Sequence, residues 1–391
     1  MVRITTLIGC LAATASVATA HPGEKHDHMQ FKRQLQARDD FAFNARRSLE
    51  QCEGSEAHKK LMKKNVKRRA NILSQLREKR GITSHPPMKY RRDLATLQEF
   101  EDVNHNMTGS VCYTKDTSPS VIFSANTSCL LTPEVTSGPY YVTGELIRSD
   151  VKENLFSDGV DLYLDVQYID ISTCGGVENV YVDIWNANAT GVYSGISTSG
   201  NYAADGYNST YLRGIQVTDE DGVVAFESIF PGHYDGRATH THLLAHMNST
   251  VYPNNTITGG RVSHIGQLFY PEDLRSDVEA IYPYTSNTQD ITSNDDDMWS
   301  IVQAADEYDP FPEFVYLGED VSDGLLAWIQ IGINTTVDYS DDDYYSVAAY
   351  IEADGGHANS DSFIGGGGGG DMGGNGTMTG EMPTGTAPPT S

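Results

Sequence analysis

Alternation of apolar and polar residues with a period of two constrains the fold of this chain more than any other feature. In residues 161–168, Leu162, Leu164 and Val166 alternate with polar or amphipathic neighbours, and residues 180–184 repeat the pattern. Side chains of a β-strand point to opposite faces in turn, so this period indicates half-buried strands. Further strands are expected at 223–230, 239–247, 262–270, 314–318 and 325–333.

No long amphipathic helix interrupts this series, which disfavours the alternating strands and helices of an α/β protein. The sequence therefore predicts an all-β fold with an antiparallel β-sandwich core, a barrel being the related alternative. Residues 55–79 are rich in Lys and Arg with few helix breakers, so a polar helical arm is expected before the core. A glycine run at 365–370 predicts a disordered C-terminal tail, since it has too little apolar surface to bury.

The net charge of −26 is unevenly distributed along the chain. Residues 101–391 hold seven basic and 43 acidic side chains, whereas residues 21–100 hold 19 basic and 10 acidic ones. Such an acidic body repels nucleic acid and anionic lipid, so neither is expected as a partner. No apolar run after residue 20 is long enough to cross a bilayer, so no membrane span is expected.

The N-terminus predicts a secreted, extracellular protein. Residues 1–20 contain Arg3, then a mainly small and apolar stretch, then Ala18-Thr19-Ala20, which is the pattern of a signal peptide with its cleavage site. Sequons for N-glycosylation support export and predict a glycoprotein. They begin at Asn106, Asn126, Asn188, Asn208, Asn248, Asn254, Asn334 and Asn375.

Four cysteines remain after removal of the signal peptide, at positions 52, 112, 129 and 174. In an exported protein this number predicts two disulfides, with three possible connectivities. We favour a Cys129–Cys174 disulfide because both residues flank the same predicted sheet.

We divide the chain into a signal peptide (1–20), a basic helical arm or propeptide (21–100), a β-sandwich domain (101–352) and a Gly/Thr/Pro-rich flexible tail (353–391). Two interpretations of the arm stay open. Dibasic pairs such as Lys79-Arg80 are candidate processing sites, which suits a propeptide. Alternatively, the arm is a polar helix that packs on the acidic body.

The chemistry is concentrated around His240 and His242, which are two residues apart on a predicted strand. Their imidazoles therefore point to the same side, as two ligands of one metal must. His246 has the same parity but lies about 13 Å further along the strand, so a structural or surface role is expected for it. Two tyrosines, Tyr193 and Tyr234, precede the histidines, and phenolate is a hard anionic donor that suits Fe(III).

Motifs in four segments resemble the intradiol ring-cleavage dioxygenases, in particular their secreted fungal branch. The segments are 131–142, 180–195, 212–242 and 264–273. The third segment is the most specific, because it contains, in order, the predicted turn at Asp221-Gly222, Tyr234 and the H-x-H motif. The chain reads Arg237-Ala-Thr-His240-Thr-His242 where family members commonly have a Pro before the first His and an Ile between the two. The differing positions are not ligands, so metal binding is still expected.

The resemblance implies a non-haem Fe(III) held by Tyr193, Tyr234, His240 and His242, with water completing the site. It implies an enzyme that uses O2 to cleave catechol-type rings between the two hydroxyl-bearing carbons, giving muconate-type diacids in aromatic catabolism. Catalytic roles are expected for Tyr234, Arg237 and Gln267. Tyr234 would take a substrate proton, Arg237 would stabilise negative charge on the ring, and Gln267 would hydrogen-bond an oxygen of the substrate.

Most of these residues also suit an ordinary structural role. The histidines suit an ordinary strand, Arg237 suits a buried ion pair with one of many acids, and Trp185 suits core packing. Tyr140 and Tyr141 match a family segment at the pocket mouth, where either one lines the pocket or both belong to the core.

Three other functions compete with the dioxygenase. The first is a non-catalytic secreted β-sandwich that binds phenolic or cell-wall ligands. The second is a zinc hydrolase built on the H-x-H motif, although such a site needs a further His or carboxylate. The third is copper chelation by His21 after signal cleavage. The oligomeric state and the catechol derivative used are not determined by the sequence.

Overall fold

The computed structural model describes residues 28–52, 54–82, 119–123, 135–153, 158–198, 200–297, 299–300, 309–342 and 345–360. Its helices are α1 (His28–Cys52), α2 (Glu56–Lys79), α3 (Pro119–Ile122) and α4 (Glu272–Glu279). The strands are β1 (Val142–Thr143), β2 (Asp161–Asp170), β3 (Tyr181–Trp185), β4 (Ser197–Thr198), β5 (Asn201–Tyr202), β6 (Arg213–Val217), β7 (Val223–Ile229), β8 (His240–Met247), β9 (Thr250–Val251), β10 (Ile257–Thr258), β11 (Arg261–Phe269), β12 (Glu313–Tyr316), β13 (Leu325–Ile333), β14 (Ala349–Glu352) and β15 (Gly355–Ala358).

Two four-stranded sheets form the body, one with the strand order β11-β8-β3-β6 and the other with the order β12-β13-β2-β7. Apolar side chains of both sheets belong to one buried cluster, for example Ile184 and Leu243 from the first and Leu164 and Ile331 from the second. Burial of such side chains is the main term that stabilises the fold. The predicted β-sandwich is therefore present, and the strands expected from the alternating pattern lie within a few residues of their predicted bounds.

The prediction of a purely antiparallel core is wrong at one place. Strands β13 and β2 run parallel, with Leu325 opposite Leu162 and Ile333 opposite Asp170. Alternation of apolar residues reports which face of a strand is buried, but not the direction of its neighbour. Most of the domain separates these two strands in the sequence, which leaves ample chain for the crossover that a parallel pair requires.

The helical arm covers the outer face of the second sheet. Helix α2 begins after Ser55, whose hydroxyl accepts the backbone N–H of His58, and this capping satisfies one of the free N–H groups of the first turn. Its apolar stripe, which includes Leu73 and Leu76, packs against Trp328 and its neighbours on that sheet. The helix predicted over 55–79 is confirmed, and it packs on the acidic body.

Charged contacts fix the arm in place. Arg68 and Arg69 each lie 3.0 Å from the carboxylate of Asp165, which is fully buried in β2. Lys64 lies 2.7 Å from Asp221, and the guanidinium of Arg77 donates to the carbonyl of Leu317. The positive arm thus neutralises part of the acidic body, and Asp165 is not an unpaired buried charge.

A disulfide joins the arm to the body, between Cys52 at the end of α1 and Cys174 in the turn after β2, with their Cα atoms 5.7 Å apart. The predicted Cys129–Cys174 pairing is therefore wrong, and Cys129 itself lies outside the described residues. The error has a physical reason. The alternation of residues along the strands predicts the sheet that Cys129 and Cys174 flank. It does not indicate that α1 docks on that sheet and brings Cys52 to Cys174.

The C-terminal part of the described chain returns to the body. Strands β14 and β15 form a small sheet with β1, so ordered structure continues past residue 352, where the tail was expected to begin. Residues 361–391, with the glycine run, lie outside the described residues, as do the signal peptide and the sequons at Asn106, Asn126 and Asn375. None of the described helices combines the length and the apolar character needed to span a membrane.

Candidate metal centre

The site lies on the outer face of the first sheet. Strand β8 alternates strictly: Leu243 and Ala245 point into the core between the sheets, whereas His240 and His242 point to the opposite side. A second buried cluster covers that side and contains Tyr140, Trp185, Tyr193 and Tyr234 among others. The two histidines are therefore on the same face, as their spacing predicted, and both are buried.

Two loops bring the tyrosines to the histidines. Tyr193 follows β3, after a turn in which the Asn188 side chain accepts the backbone N–H groups of Thr190 and Val192. The backbone N–H of Tyr193 then donates to the side chain of Asn201 at 2.7 Å. Tyr234 lies in the loop between β7 and β8, where its backbone pairs with that of Arg237. Both phenol rings are thus fixed by backbone contacts and not only by packing.

The four side chains converge on one point. The Nε2 atom of His240 lies 3.0 Å from Nε2 of His242, 3.3 Å from the phenol oxygen of Tyr234 and 3.4 Å from that of Tyr193. Metal–donor bonds near 2 Å place neighbouring donors about 3 Å apart. The donor set and its spacing therefore fit a single metal ion. The four donors are two phenols and two imidazoles, with no carboxylate among them. This donor set suits Fe(III) better than the zinc of a hydrolase.

The two phenols are in an environment that resists ionisation. Burial raises the pKa of Tyr193 and of Tyr234 well above the ordinary value of 10.0. A buried phenolate needs a nearby positive charge, because desolvation disfavours the charged form. A multivalent cation bound between the four donors would supply that charge, and its binding would release the phenolic protons.

Two contacts orient the imidazoles. The Nδ1 atom of His240 lies 2.6 Å from the carbonyl oxygen of Ala238, so Nδ1 carries the proton and Nε2 presents its lone pair to the other three side chains. Trp185 stacks on the ring of His242, with centroids 4.7 Å apart and planes 4° from parallel. Trp185 packs as expected, but the residue that it packs against is a candidate ligand.

Arg237 and Gln267 lie together beside the four donors. A guanidinium nitrogen of Arg237 donates to the side-chain oxygen of Gln267 at 2.5 Å, and Gln267 stands directly opposite His242 in the sheet. The Nε of Arg237 lies 2.8 Å from the carboxylate of Asp297, and both side chains are almost completely buried. The two interpretations of Arg237 are therefore compatible, because it belongs to a buried ion pair and also adjoins the site.

Asp297 is a residue that sequence reasoning missed. One carboxylate oxygen accepts from Arg237 and from the backbone N–H of Ala238, and the other accepts the backbone N–H groups of Trp299 and Ser300. Burial acts to raise its pKa, but the guanidinium of Arg237 more than offsets this and holds the pKa below the ordinary 3.8. Asp297 is the last of three consecutive aspartates, and nothing in that run marks which one is buried.

A second missed network supports Tyr193 from behind. Arg213 donates to the backbone carbonyls of Tyr140 and Ser194, and its guanidinium lies 5.9 Å from the centre of the Tyr193 ring. Its charge is balanced by Glu145 at 3.2 Å, and both side chains are about 1% exposed. Arg213 therefore joins the two segments that carry Tyr140 and Tyr193.

The neighbouring tyrosines and histidines take different roles. Tyr140 faces the site, with its ring 4.9 Å from that of Tyr193, whereas the Tyr141 hydroxyl bonds to Asp183 and to His246 on the other side. His246 is therefore structural, as expected from its distance along β8. His233 bonds Glu279 and the carbonyl of Gln289 and faces away from the site.

The chain has relatives among known dioxygenases. Residues 136–257 match the sequence model of the family described as Dioxygenase. This range includes both tyrosines and both histidines of the candidate centre, together with Arg237. No curated protein matches the chain.

Several solved structures are similar to it. An intradiol ring-cleavage dioxygenase from Tetranychus urticae shares 29% identity over 56% of this chain and 99% of its own, with a TM-score of 0.45. The dioxygenase domain of a dioxygenase carbohydrate-binding protein fusion from Streptomyces sp. SirexAA-E shares 20%, covering 52% and 98%, with a TM-score of 0.32. Catechol 1,2-dioxygenase from Acinetobacter sp. ADP1 shares 15%, covering 62% and 77%, with a TM-score of 0.35.

Proposed function

We infer from the family match over residues 136–257 that this chain is an intradiol ring-cleavage dioxygenase, and on that premise we propose what its site binds and where it acts. We propose a non-haem Fe(III) centre held by Tyr193, Tyr234, His240 and His242. The observation that carries the proposal is the approach of the other three donor atoms to within 3.4 Å of Nε2 of His240. When bound, Fe(III) would supply a Lewis acid that holds the two oxygens of a catechol.

Tyr234 is the proposed proton acceptor. Burial raises the pKa of its phenol well above 10.0, so its oxygen is strongly basic when ionised and readily takes a proton from an incoming diol. Tyr193 and the two histidines would remain as fixed donors.

Arg237 and Gln267 are proposed to act on the ring and its oxygens. A guanidinium stays charged at any physiological pH, and a buried site strengthens its field because water does not screen it. Negative charge that develops on the ring would be stabilised there. Gln267 accepts from Arg237 through its oxygen and donates its amide to the carbonyl of Thr136 at 3.0 Å, so the pair is held in a fixed orientation.

We further propose that the protein is exported and acts outside the cell on catechol-type compounds, with muconate-type diacids as products. The Cys52–Cys174 disulfide supports an oxidising compartment. The sequons at Asn208, Asn248 and Asn254 are exposed and accessible to a glycan, whereas Asn188 is buried and turned inward by its own hydrogen bonds.

Oxygen uptake with catechol tests the activity directly. Iron-loaded protein should consume one O2 per catechol and release a ring-opened diacid, identified by mass spectrometry. The Tyr193→Phe variant is the matched control, since it loses a single donor atom. Iron-loaded wild-type protein that binds catechols but takes up no oxygen would instead support the non-catalytic phenolic-binding module.

A further inference from the structure

The supply of positive charge limits which catechols this site can accept. Residues 119–391 contain only six basic side chains, and all six lie within the residues that the structure describes. They are Arg148, Lys152, Arg213, Arg237, Arg261 and Arg275. A substrate with its own carboxylate would need one of them, or a group of equal charge, near the metal centre.

Five of the six are already in ion pairs. Each has a carboxylate oxygen within 3.2 Å, the acidic partners being Glu153, Asp161, Glu145, Asp297 and Glu272 in the order of the basic residues. The sixth, Arg261, donates to the backbone carbonyl of Thr335 at the far end of β11. Helix α2 packs on the other sheet, where Arg69 pairs with Asp165.

Among the residues that the structure describes, the guanidinium groups of Arg237 and Arg213 lie beside the candidate ligands, and their charges are balanced by Asp297 and Glu145. The carboxylate of Asp297 has no exposed surface and accepts from four donors, so it is fixed in position and cannot turn away. An Arg–Asp pair at 2.8 Å has no net charge. The guanidinium still offers N–H groups to negative charge that develops on the ring, but the pair supplies no net counter-charge for a permanent ring carboxylate.

We infer that this site selects ring diols without a carboxylate, and that Asp297 sets this selectivity by neutralising Arg237. The inference rests on the proposed function. Its chemical content is that catechol, alkylcatechols and larger neutral phenolic diols are substrates, whereas dihydroxybenzoates are excluded. The carboxylate of such a ring would have to be buried without a counter-charge, which strongly disfavours its binding in a protein interior.

A nearly isosteric pair of compounds separates charge from size. Iron-loaded full-length protein is assayed by oxygen uptake with catechol, 3,4-dihydroxybenzamide and 3,4-dihydroxybenzoate. We expect kcat/KM for the benzamide to exceed that for the benzoate by about 100-fold or more. The amide withdraws electrons from the ring at least as strongly as the carboxylate, so ring reactivity does not account for such a preference. Equal kcat/KM values for the two would overturn the inference while leaving the dioxygenase assignment intact.

A binding measurement gives a second readout that does not depend on turnover. Titration of the two compounds without oxygen, followed by the visible absorption of the ferric protein, should give a dissociation constant at least about 10-fold higher for the benzoate. Equal constants would contradict the selectivity. No turnover of catechol by the ferric protein would refute the proposed function itself, and the inference would fall with it.

Substitution of Asp297 tests its assigned role. Asp297→Asn keeps the shape of the side chain but leaves the charge of Arg237 uncompensated, so the preference for benzamide over benzoate should shrink at least about 10-fold in both kcat/KM and binding. Asp161→Asn is the matched control, because Asp161 also pairs with two basic side chains, Lys152 and Arg80, but on the other sheet. The control should keep the wild-type ratio. If Asp297→Asn does not fold, the wild-type benzamide-to-benzoate ratio still decides the inference. An unchanged ratio in folded Asp297→Asn would refute the role of Asp297.

Discussion

The indole of Trp185 lies flat on the imidazole of His242, with ring centroids 4.7 Å apart and planes 4° from parallel. The two residues are direct neighbours on adjacent strands, β3 and β8, so the sheet itself sets their contact. Trp185 also contacts Tyr141, whose ring centroid is 4.8 Å away. His242 is thus held in its rotamer by a rigid aromatic stack. This should reduce the conformational entropy that its side chain loses when it binds a metal.

Removal of the indole should therefore weaken metal binding without removing a donor. Trp185→Ala is expected to raise the dissociation constant for iron roughly 10-fold, because supporting residues around metal ligands commonly contribute that much. Trp185→Phe keeps an aromatic face and should stay close to wild type. Competition with a chelator measures both constants. Equal iron affinity in wild type and Trp185→Ala would show that the stack does not orient His242.

Arg237 should matter for turnover more than for the metal. Arg237→Ala is expected to keep the iron content and the colour of the protein but to lower kcat by about 100-fold or more, as loss of a preorganised charge commonly does. Single-turnover absorbance changes with catechol measure this step. Arg261→Ala is a suitable control, since Arg261 bonds the backbone carbonyl of Thr335 at the far end of β11. Wild-type turnover in Arg237→Ala would remove Arg237 from the mechanism.

The disulfide between Cys52 and Cys174 should stabilise the whole protein. Loss of a disulfide that closes a long loop typically costs about 2–4 kcal/mol of unfolding free energy, so Cys174→Ser should unfold at a clearly lower temperature.

Peptide mapping without reduction should recover Cys52 linked to Cys174. If the chain is cut at the dibasic pair Lys79-Arg80, the arm should separate from the body only after reduction. A linked Cys129–Cys174 peptide would contradict the structure.

The arm should also respond to acid through Asp165. Burial acts to raise the pKa of this carboxyl, but Arg69 and Arg68 lower it below the ordinary value of 3.8. A carboxyl whose pKa is lowered by folding stabilises the protein above its unfolded pKa, and this contribution is lost as the pH falls through the folded pKa. Asp165→Asn should therefore lower the unfolding free energy by about 3 kcal/mol at neutral pH.

Near pH 2, about two units below the ordinary carboxyl pKa, the difference in unfolding free energy between wild type and Asp165→Asn should be clearly smaller than at neutral pH. Urea unfolding at the two pH values measures it. Lys59, which pairs with Glu56 at the exposed surface of the same helix, offers a control through Lys59→Gln, where little change is expected at either pH. A difference between wild type and Asp165→Asn that persists undiminished in acid would argue against an ionised, paired Asp165.

Much of the sandwich could be predicted because its strands are half-buried. In a half-buried strand apolar and polar residues alternate with a period of two, which the sequence shows directly. Strand β8 is an example: its alternation put His240 and His242 on one face, and the structure has them there. The parallel pairing of β13 with β2 could not be predicted, since the same alternation serves either direction. The disulfide was missed for a related reason, because it depends on how α1 docks on a sheet distant in sequence.

The candidate ligands were identified through motif position rather than through their rarity, since the chain has 22 tyrosines. The residues around them were harder to recognise. Asp297 lies in a run of three aspartates, and Arg213 and Glu145 come from separate segments whose meeting depends on the assembled fold. Buried ion pairs of this kind leave no periodic signal, because each partner is a single polar residue in an otherwise ordinary segment.

Metal analysis of the purified full-length protein, combined with its visible spectrum, tests the central claim most directly. The wild-type protein should contain one iron per chain and be red-brown from tyrosinate-to-Fe(III) charge transfer. Tyr193→Phe and His242→Ala should lose both the colour and ring opening, whereas Tyr270→Phe, which loses only a hydroxyl contact to Thr241, should keep them. Colourless wild-type protein that takes up no iron, or Tyr193→Phe and His242→Ala variants that keep colour and activity, would contradict a ferric centre built from these four side chains.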